Sequence, residues 1–395
     1  TQHLHPLTIP TEAERLSVLA VGGYGREEMA PFSDVDLLFL TPYKITPWAE
    51  SVIESMLYIL WDLKLHVGYA TRSITECLLM GKKDFTIRTT LLETRRIIGD
   101  ESLVNELNNR LWNELFQSSA TEFITAKLEE RLLRHKKHGE NRYLLEPNIK
   151  EGKGGLIDLQ SLFWIAKYIH HVQRPEQLIE KNVFNQVEFN KFANANNFLW
   201  QVRCHLHFLN NRGSEQLNFD SQVEIAKKLE YKNSDGRLAV EHFMQDYFKH
   251  ATCVGELTRI FITDLEARHV KRQPNVGQIL RSAGRRLITK ISPLFKIQHN
   301  RINVIDDNIF SIEPINIFIL FDEALRTGYL IHPYAMRLIT SNIEFIDDAL
   351  RRNPDAQKIF FKLLLERGNP VRALRRMNEL GVLSAFIPEF EHIVA

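Results

Sequence analysis

The feature that most constrains this chain is a double glycine between two apolar segments. Residues 16–21 are rich in aliphatic side chains and predict a buried strand, and residues 37–40 predict a second one. Gly22 and Gly23 end the first strand, because glycine tolerates unusual backbone angles and lets an anion approach the main chain. Residues 26–29 are predicted to form a helical turn whose free N–H groups face that anion.

Two aspartates, Asp34 and Asp36, lead into the second predicted strand. Because alternate residues of a strand point the same way, their carboxylates are expected to lie side by side. Two carboxylates at the edge of an apolar strand repel each other unless a cation lies between them. Mg²⁺ is the expected cation, since it prefers oxygen ligands and usually accompanies phosphates.

The glycine turn followed by Ser33 and the two aspartates resembles the nucleotidyltransferase superfamily, whose fold is that of DNA polymerase β. Each motif alone is a weak indication, because most Asp-x-Asp pairs lie in solvated turns. The two motifs together, each adjoining an apolar strand, are fairly specific. The resemblance implies a polymerase-β-like nucleotidyltransferase domain.

Enzymes of this superfamily normally carry a third carboxylate on a later strand. Glu93 is the candidate that we choose for this catalytic role. Asp62 ends a predicted helix and is more typical of a solvated or capping carboxylate. His66 stands near the position where some relatives carry an acid, but a histidine cannot replace a magnesium ligand there.

Length and composition limit the class of protein. The 395 residues are too many for one small core, so we expect two or three domains. The net charge of +1 argues against a chain built mainly to bind nucleic acid. Cys77, Cys204 and Cys253 are scattered without metal-ligand spacing, which predicts a reducing cytoplasm. No apolar run approaches membrane-spanning length and no signal peptide is visible, so no membrane partner is expected.

The fold class predicted from the order of elements is α+β. We expect a nucleotidyltransferase domain over residues 1–120, a helical bundle that binds substrate and partner over 121–270, a linker over 271–305, and a further helical segment over 306–395. The linker is basic, which leaves a phosphate contact open as an alternative. Residues 304–310 predict a tight hairpin with an Asp-Asn turn.

Three shorter patterns carry more specific expectations. Residues 47–64 predict an amphipathic helix whose apolar face holds Val52, Met56, Ile59, Leu60 and Leu63. Residues 126–138 are densely charged, which fits a solvated helix face or, alternatively, a basic wall facing a triphosphate. His205 and His207 are two residues apart on a predicted helix, so they diverge and make a poor metal pair.

A glycine-rich turn before the helix predicted to begin at Leu156 carries Lys150 and Lys153. Lysines beside a helix N-terminus suit anion binding, although a plain helix-start loop explains the same composition. The turn is not a P-loop, because the Gly-Lys-Ser/Thr order is absent.

Segments along nearly the whole chain carry a closer resemblance. They are Gly22-Gly23-Tyr24-Gly25-Arg26-Glu27, Pro31 with Ser33-Asp34-Val35-Asp36-Leu37-Leu38, Leu60-Trp61-Asp62-Leu63-Lys64, Val67-Gly68 with Arg72, Glu146-Pro147-Asn148-Ile149-Lys150, Gly154-Gly155-Leu156 with Asp158, Leu217 with Phe219-Asp220 and Gln222, and Leu380-Gly381-Val382-Leu383 to Pro388-Glu389-Phe390 with His392-Ile393-Val394. In these segments the chain resembles the N-terminal part of the bacterial PII uridylyltransferase/uridylyl-removing enzymes, multifunctional glutamine sensors of nitrogen regulation.

This resemblance implies an enzyme that transfers UMP from UTP to a tyrosine of a PII protein and releases pyrophosphate. Asp34 and Asp36 would hold Mg²⁺, and one of the two carboxylates would help to accept the tyrosine proton. The nucleotide phosphates would be bound by groups from the glycine turn, the serine and the basic side chains. These residues are Gly22, Gly23, Arg26, Ser33, Lys150 and Lys153.

Two departures from the family pattern accompany the resemblance. Family members mostly carry Arg after Gly-Gly-Leu, where this chain has Ile157. The motifs of the HD metal phosphohydrolase domain and of the glutamine-binding ACT domains, which follow in the family, are absent, so we expect a product that holds the transferase part. The alternatives are a nucleotidyltransferase with another acceptor or nucleotide, such as an adenylyl-transferring enzyme, and a non-catalytic nucleotide-binding regulatory module.

Overall fold

The computed structural model of the chain describes residues 4–6, 11–138, 144–181, 183–265, 291–298, 301–366 and 370–390. It separates into two compact units, Thr1–Ala251 and Thr252–Ala395. Helices accompany two small sheets, which confirms the predicted α+β class. The predicted division into four segments stays a prediction. Most of the basic linker, with its alternative phosphate contact, lies outside the described residues.

The first unit is built on a four-stranded sheet in the order β3-β2-β1-β4. Its strands are β1 (Ser17–Ala20), β2 (Val35–Thr41), β3 (Val67–Ser73) and β4 (Arg95–Gly99). β1 is antiparallel to both β2 and β4, whereas β2 and β3 are parallel. The predicted strands around the glycine turn are therefore confirmed.

The glycine turn itself differs from the prediction. The helical turn α1 occupies Gly22–Gly25, rather than residues 26–29. It begins directly after β1, because Gly22 adopts a φ of +58°, a left-handed value that glycine accepts without strain. Glu27, with a φ of +65°, breaks the helical conformation after Arg26. The first N–H groups of the turn therefore belong to the two glycines.

Helix α2 (Pro47–Asp62) lies close to the predicted bounds, so the predicted helix is confirmed. The prediction of which residues lie on its buried face is partly wrong. Ile53 and Leu57 pack against the sheet residues Val18, Leu37 and Phe39. Ile59 and Leu63, which were expected on the buried face, are exposed. The apolar residues of α2 extend around more of the helix than the sheet covers.

Two helices lie between β3 and β4, and the others follow β4. They are α3 (Ile74–Lys83), α4 (Phe85–Leu92), α5 (Glu101–Leu111), α6 (Ala120–Lys137), α7 (Leu156–His170), α8 (Gln177–Glu180), α9 (Gln186–Asn210), α10 (Phe219–Lys228) and α11 (Ala239–Leu265). A π-helical turn, Trp112–Phe116, continues α5. The boundary between the two units falls within α11. The helix predicted to begin at Leu156 is thus confirmed as α7. None of the helices among the described residues combines the length and apolarity needed to cross a bilayer.

A buried ion cluster joins α6 to the start of α7. The carboxylate of Asp158 lies 2.6 Å from Arg134, 2.9 Å from His135 and 3.3 Å from Arg131. It also accepts a 2.9 Å hydrogen bond from the N–H of Gly154. Burial acts to raise the pKa of Asp158, but the bond to His135 and the charges of the two arginines hold it below its usual value.

This cluster corrects the expectation of a solvated face over residues 126–138. Lys127, Arg134 and His135 are buried, although the segment as a whole is highly charged. Lys127 lies 2.7 Å from Glu130 and 4.9 Å from the ring centre of Trp164. Charge density alone does not predict exposure here, because a buried carboxylate on α7 pairs with the cations.

The second unit contains a three-stranded sheet in the order β5-β6-β7. Its elements are β5 (Phe295–Gln298), β6 (Arg301–Val304), α12 (Ile309–Ile312), α13 (Asn316–Thr327), β7 (Leu330–Ile331), α14 (Pro333–Ser341), α15 (Asp348–Arg352), α16 (Pro354–Leu365), α17 (Pro370–Glu379) and α18 (Val382–Phe386). Phe310, Phe318 and Phe321 lie in its core. Pro333, Pro354 and Pro370 are the first residues of α14, α16 and α17, where proline is tolerated because its N–H would have no intrahelical acceptor.

The hairpin predicted over residues 304–310 is wrong. The antiparallel pair is β5 with β6, and residues after β6 turn into α12. The Asp-Asn pair stabilises this helix start, because the Asp306 carboxylate accepts a 2.9 Å hydrogen bond from the N–H of Asn308.

We expect Asp158→Ala to lower the free energy of unfolding by about 3–5 kcal/mol, because it leaves buried arginines without their counter-charge. Urea denaturation followed by circular dichroism measures the loss. The control is Glu224→Ala, which removes one partner of the exposed Glu224–Lys227 pair and is expected to change stability by less than about 0.5 kcal/mol. Equal effects of the two substitutions would contradict the account.

Candidate functional site

The two aspartates lie at the start of β2, where the sheet meets the glycine turn. Asp34 is exposed and precedes the strand, and Asp36 is half-buried on it. Burial raises the pKa of Asp36, and the neighbouring charge of Asp34 raises it further, whereas Lys150 acts in the opposite direction. The structure therefore brings together the predicted acidic pair and one of the predicted lysines.

Two glycines leave room for the Asp36 carboxylate. Gly68 is its register partner on the parallel strand β3. A Cβ atom at Gly68 would lie 2.6 Å from Oδ1 of Asp36, and one at Gly22 would lie 3.1 Å from Oδ2. Any larger residue at Gly68 would displace the carboxylate, because the first distance is shorter than normal contact. The carboxylate of Asp36 thus occupies space that a side chain at either glycine would take.

The donor set fits a hard divalent cation. Asp34 and Asp36 supply carboxylate oxygens, and their mutual repulsion is relieved when a cation lies between them. Within the described ranges, no group of three or more His, Cys, Asp or Glu side chains is arranged to hold a metal ion. The pair would therefore leave coordination positions for oxygens of a substrate.

Lys150 belongs to a second charged group that the sequence did not indicate. Its Nζ lies 4.0 Å from Glu215, which accepts a 2.7 Å ion-pair contact from Arg203. Asn148 fixes the backbone beside it, because its side-chain oxygen accepts hydrogen bonds from the N–H groups of Lys150 and Glu151 at 3.1 and 2.7 Å. Glu215 therefore lies between two cations, Arg203 and the lysine whose charge acts on Asp36.

His207 contacts the loop that leads to the aspartates. Its Nδ1 accepts a 3.3 Å hydrogen bond from the N–H of Phe32, in the loop that leads to the aspartates. Burial lowers the pKa of His207, and Glu215 opposes that shift. This bond connects α9 to the loop before β2. The nearby Ser33 also shapes the loop, because its hydroxyl oxygen accepts a 3.0 Å bond from the N–H of Ala30.

Glu93 lies in a different charge cluster from the aspartates. Its carboxylate is 2.8 Å from Arg26, and Arg26 is also 3.0 Å from Glu28. The charged groups that act on Asp36 are Asp34 and Lys150, whereas those that act on Glu93 are Arg26 and Lys167. The structure thus does not bring the predicted third carboxylate to the acidic pair.

The same cluster holds the predicted nucleotide-binding residue Arg26. Its guanidinium group is shared between Glu93 and Glu28, and it lies 5.5 Å from the ring centre of Trp164 on α7. Gln160, also on α7, donates a 3.3 Å hydrogen bond to Glu28. Arg26 therefore connects the glycine turn to α7. Lys153, the remaining predicted contact, lies in the turn that follows Lys150.

Comparison with known proteins gives consistent matches along the chain. Residues 122–262 match the family model described as GlnD PII-uridylyltransferase, and residues 295–386 match that of the uridylyltransferase GlnD third domain. A bifunctional uridylyltransferase/uridylyl-removing enzyme of Cereibacter sphaeroides is 56% identical over 394 residues, which is 100% of this chain and 42% of the relative. The enzyme of the same name from Ruegeria pomeroyi is 57% identical over 392 residues, 99% of this chain and 42% of the relative. The chain thus spans less than half the length of these relatives.

We expect Asp36→Asn to raise the free energy of unfolding at neutral pH when a chelator is present. The raised pKa of Asp36 means that its charged form is disfavoured in the folded protein, so this cost appears as the pH rises through that pKa. At acidic pH, where the carboxyl is neutral in both states, the two proteins should have equal stability. Urea denaturation at both pH values, with the exposed Asp62→Asn as control, measures this difference. A loss of stability at neutral pH would contradict the account.

Proposed function

This chain belongs to the GlnD uridylyltransferase family, and we propose that it transfers UMP from UTP to a tyrosine hydroxyl of a PII signalling protein, with release of pyrophosphate. The observation that supports this most is the acidic pair at the glycine turn, where Gly22 and Gly68 leave room for the Asp36 carboxylate and the charge of Lys150 acts on it. Uridylyl transfer is named as an activity of the longer relatives, and its assignment to this chain is our proposal.

Asp34 and Asp36 would hold Mg²⁺ in this proposal. The bound ion would supply Lewis-acid stabilisation of the charge that develops at the α-phosphate during displacement. The exposed position of Asp34 leaves it accessible to an incoming hydroxyl, and one carboxylate of the pair would help to accept the tyrosine proton. Glycine at positions 22 and 68 leaves the space that the Asp36 carboxylate occupies.

Groups around the pair would bind the phosphates. The N–H groups of Gly22 and Gly23 lie in the first turn of α1, so they have no intrahelical acceptor and can donate to phosphate oxygens. The Ser33 hydroxyl keeps its proton free for donation while its oxygen accepts from Ala30. Lys150 and Lys153 would offset the charge of the leaving pyrophosphate.

The structure favours a positioning role for Arg26 over direct phosphate contact. Its guanidinium is engaged by Glu28 and Glu93, and its side chain is only 14% exposed. We therefore assign Arg26 and Glu93 to fixing the glycine turn against α7. A cytoplasmic location and the absence of nucleic-acid and membrane partners stay predictions.

We expect this chain to transfer label from α-labelled UTP to a purified PII protein in the presence of Mg²⁺. α-Labelled ATP should give no label, and Asp34→Asn should reduce transfer to background because it removes one carboxylate of the pair. Asp62→Asn, which changes an exposed aspartate on α2, is the matched control and should keep full transfer. Equal labelling from ATP, or transfer that survives in Asp34→Asn, would refute the proposed reaction.

We expect Gly68→Ala to reduce transfer about 100-fold, because the added methyl group displaces the Asp36 carboxylate by roughly 1 Å. The control is Gly213→Ala, whose Cβ would lie 3.5 Å from the carbonyl oxygen of Phe32, an ordinary contact. Circular dichroism checks that both variants are folded. Full activity of folded Gly68→Ala would show that the position of Asp36 does not limit the reaction.

A further inference from the structure

A cavity of about 440 Å³ lies in the first unit, next to the end of the glycine turn. It is enclosed by residues from the glycine turn, the junction of α4 and β4, α7, the segment that follows α7, and α9. Asp34, Asp36 and Lys150 are not among the residues that line it. Its volume is within the range of small-molecule sites. The cavity therefore adjoins the glycine turn but does not include the acidic pair.

One wall of the cavity contains a buried carboxylate oxygen that accepts no hydrogen bond. Glu93 is only 2% exposed, and one of its oxygens pairs with Arg26. Its other oxygen, Oε1, has no partner at hydrogen-bond geometry, although the indole N–H of Trp164 is near enough to favour the charged form. Leaving a buried carboxylate oxygen without a donor is costly, so the site favours a ligand group that donates to it.

A second wall carries the cation of Lys167, on α7. Its ammonium group forms no direct ion pair and no hydrogen bond within the described part of the chain. Burial lowers the pKa of Lys167, and the charge of Glu93 opposes that shift. Three ammonium N–H donors in a half-buried wall favour a ligand group that accepts hydrogen bonds and carries negative charge.

The lining as a whole has no formal net charge. Its cations are Arg26, Arg95, Lys167 and Arg174, and its carboxylates are Glu27, Glu28, Glu93 and Glu176. Such a cavity disfavours a polyanion, because a nucleotide phosphate would approach four carboxylates as well as four cations. A ligand of no net charge that carries both signs meets each wall with the opposite charge.

We propose that this cavity binds a small zwitterion of the free amino acid class. Its ammonium group would donate to Oε1 of Glu93, and its carboxylate would accept from Lys167. The amide side chains of Gln160 and Asn196, together with Phe163 and Phe192, would surround the rest of the molecule. The proposal does not depend on the transferase reaction, because it concerns binding alone.

Isothermal titration of the whole chain with the standard amino acids, added singly, tests this proposal directly. At least one should bind, while inorganic phosphate and UMP should not compete with it. Lys167→Met and Glu93→Gln should each weaken binding roughly tenfold or more, which is the size expected when a hydrogen bond to a charged group is lost. Lys227→Met, which changes an exposed lysine of α10, should leave binding unchanged.

Derivatives of the bound amino acid test whether its ammonium group contacts Glu93 and whether its carboxylate contacts Lys167. The N-acetyl derivative lacks the ammonium group, so its weaker binding should no longer respond to Glu93→Gln. The carboxamide derivative lacks the carboxylate and should no longer respond to Lys167→Met. Failure of every amino acid to bind, displacement by phosphate, or binding that ignores Lys167→Met would overturn the proposal. Since the readout is heat of binding, a failure here leaves the transferase proposal untouched.

Discussion

The repulsion between Asp34 and Asp36 is the constraint on which the site depends. The sheet places both carboxylates at the start of β2, and burial adds to the cost of charging Asp36. Gly22 and Gly68 leave room for this carboxylate, because a Cβ atom at either position would approach one of its oxygens closely. The protein thus holds an unfavourable arrangement of charge at one point, and a bound cation relieves it.

Two buried ion clusters hold the helices that surround this point. Asp158 joins α6 to α7 and also binds the N–H of Gly154, in the turn that carries Lys153. Arg26 joins the glycine turn to α7 through Glu93, Glu28 and Trp164. Because both clusters include α7, this helix relates the glycine turn to the lysine-bearing turn. The two clusters would thereby hold the groups around a reacting phosphate in fixed positions.

The sequence was informative where a residue type has one physical explanation. The double glycine, the acidic pair and the prolines at helix starts all lie where local chemistry predicts them. The buried face of α2 and the exposure of residues 126–138 could not be predicted in the same way. They depend on which side of a helix the rest of the chain covers, and a helix with apolar residues around most of its surface does not reveal that.

The partners of Glu93 illustrate the same limit within the site. An acidic residue near a predicted strand is compatible with a metal ligand or with an ion pair, and only the position of Arg26 distinguishes them. Likewise, no local pattern connects Lys150 with Glu215 and Arg203, because those residues are far apart in the sequence. Contacts between distant segments of the chain therefore decide the roles of individual charged residues.

The measurement that tests the central claim most directly is a titration of Mn²⁺, as a paramagnetic substitute for Mg²⁺, followed by electron paramagnetic resonance in the presence of UTP. If Asp34 and Asp36 are the protein ligands and Glu93 fixes the glycine turn, Asp36→Asn will lose the bound signal and Glu93→Gln will retain it. Loss of the signal in folded Glu93→Gln, or its persistence in Asp36→Asn, would contradict the account of the site.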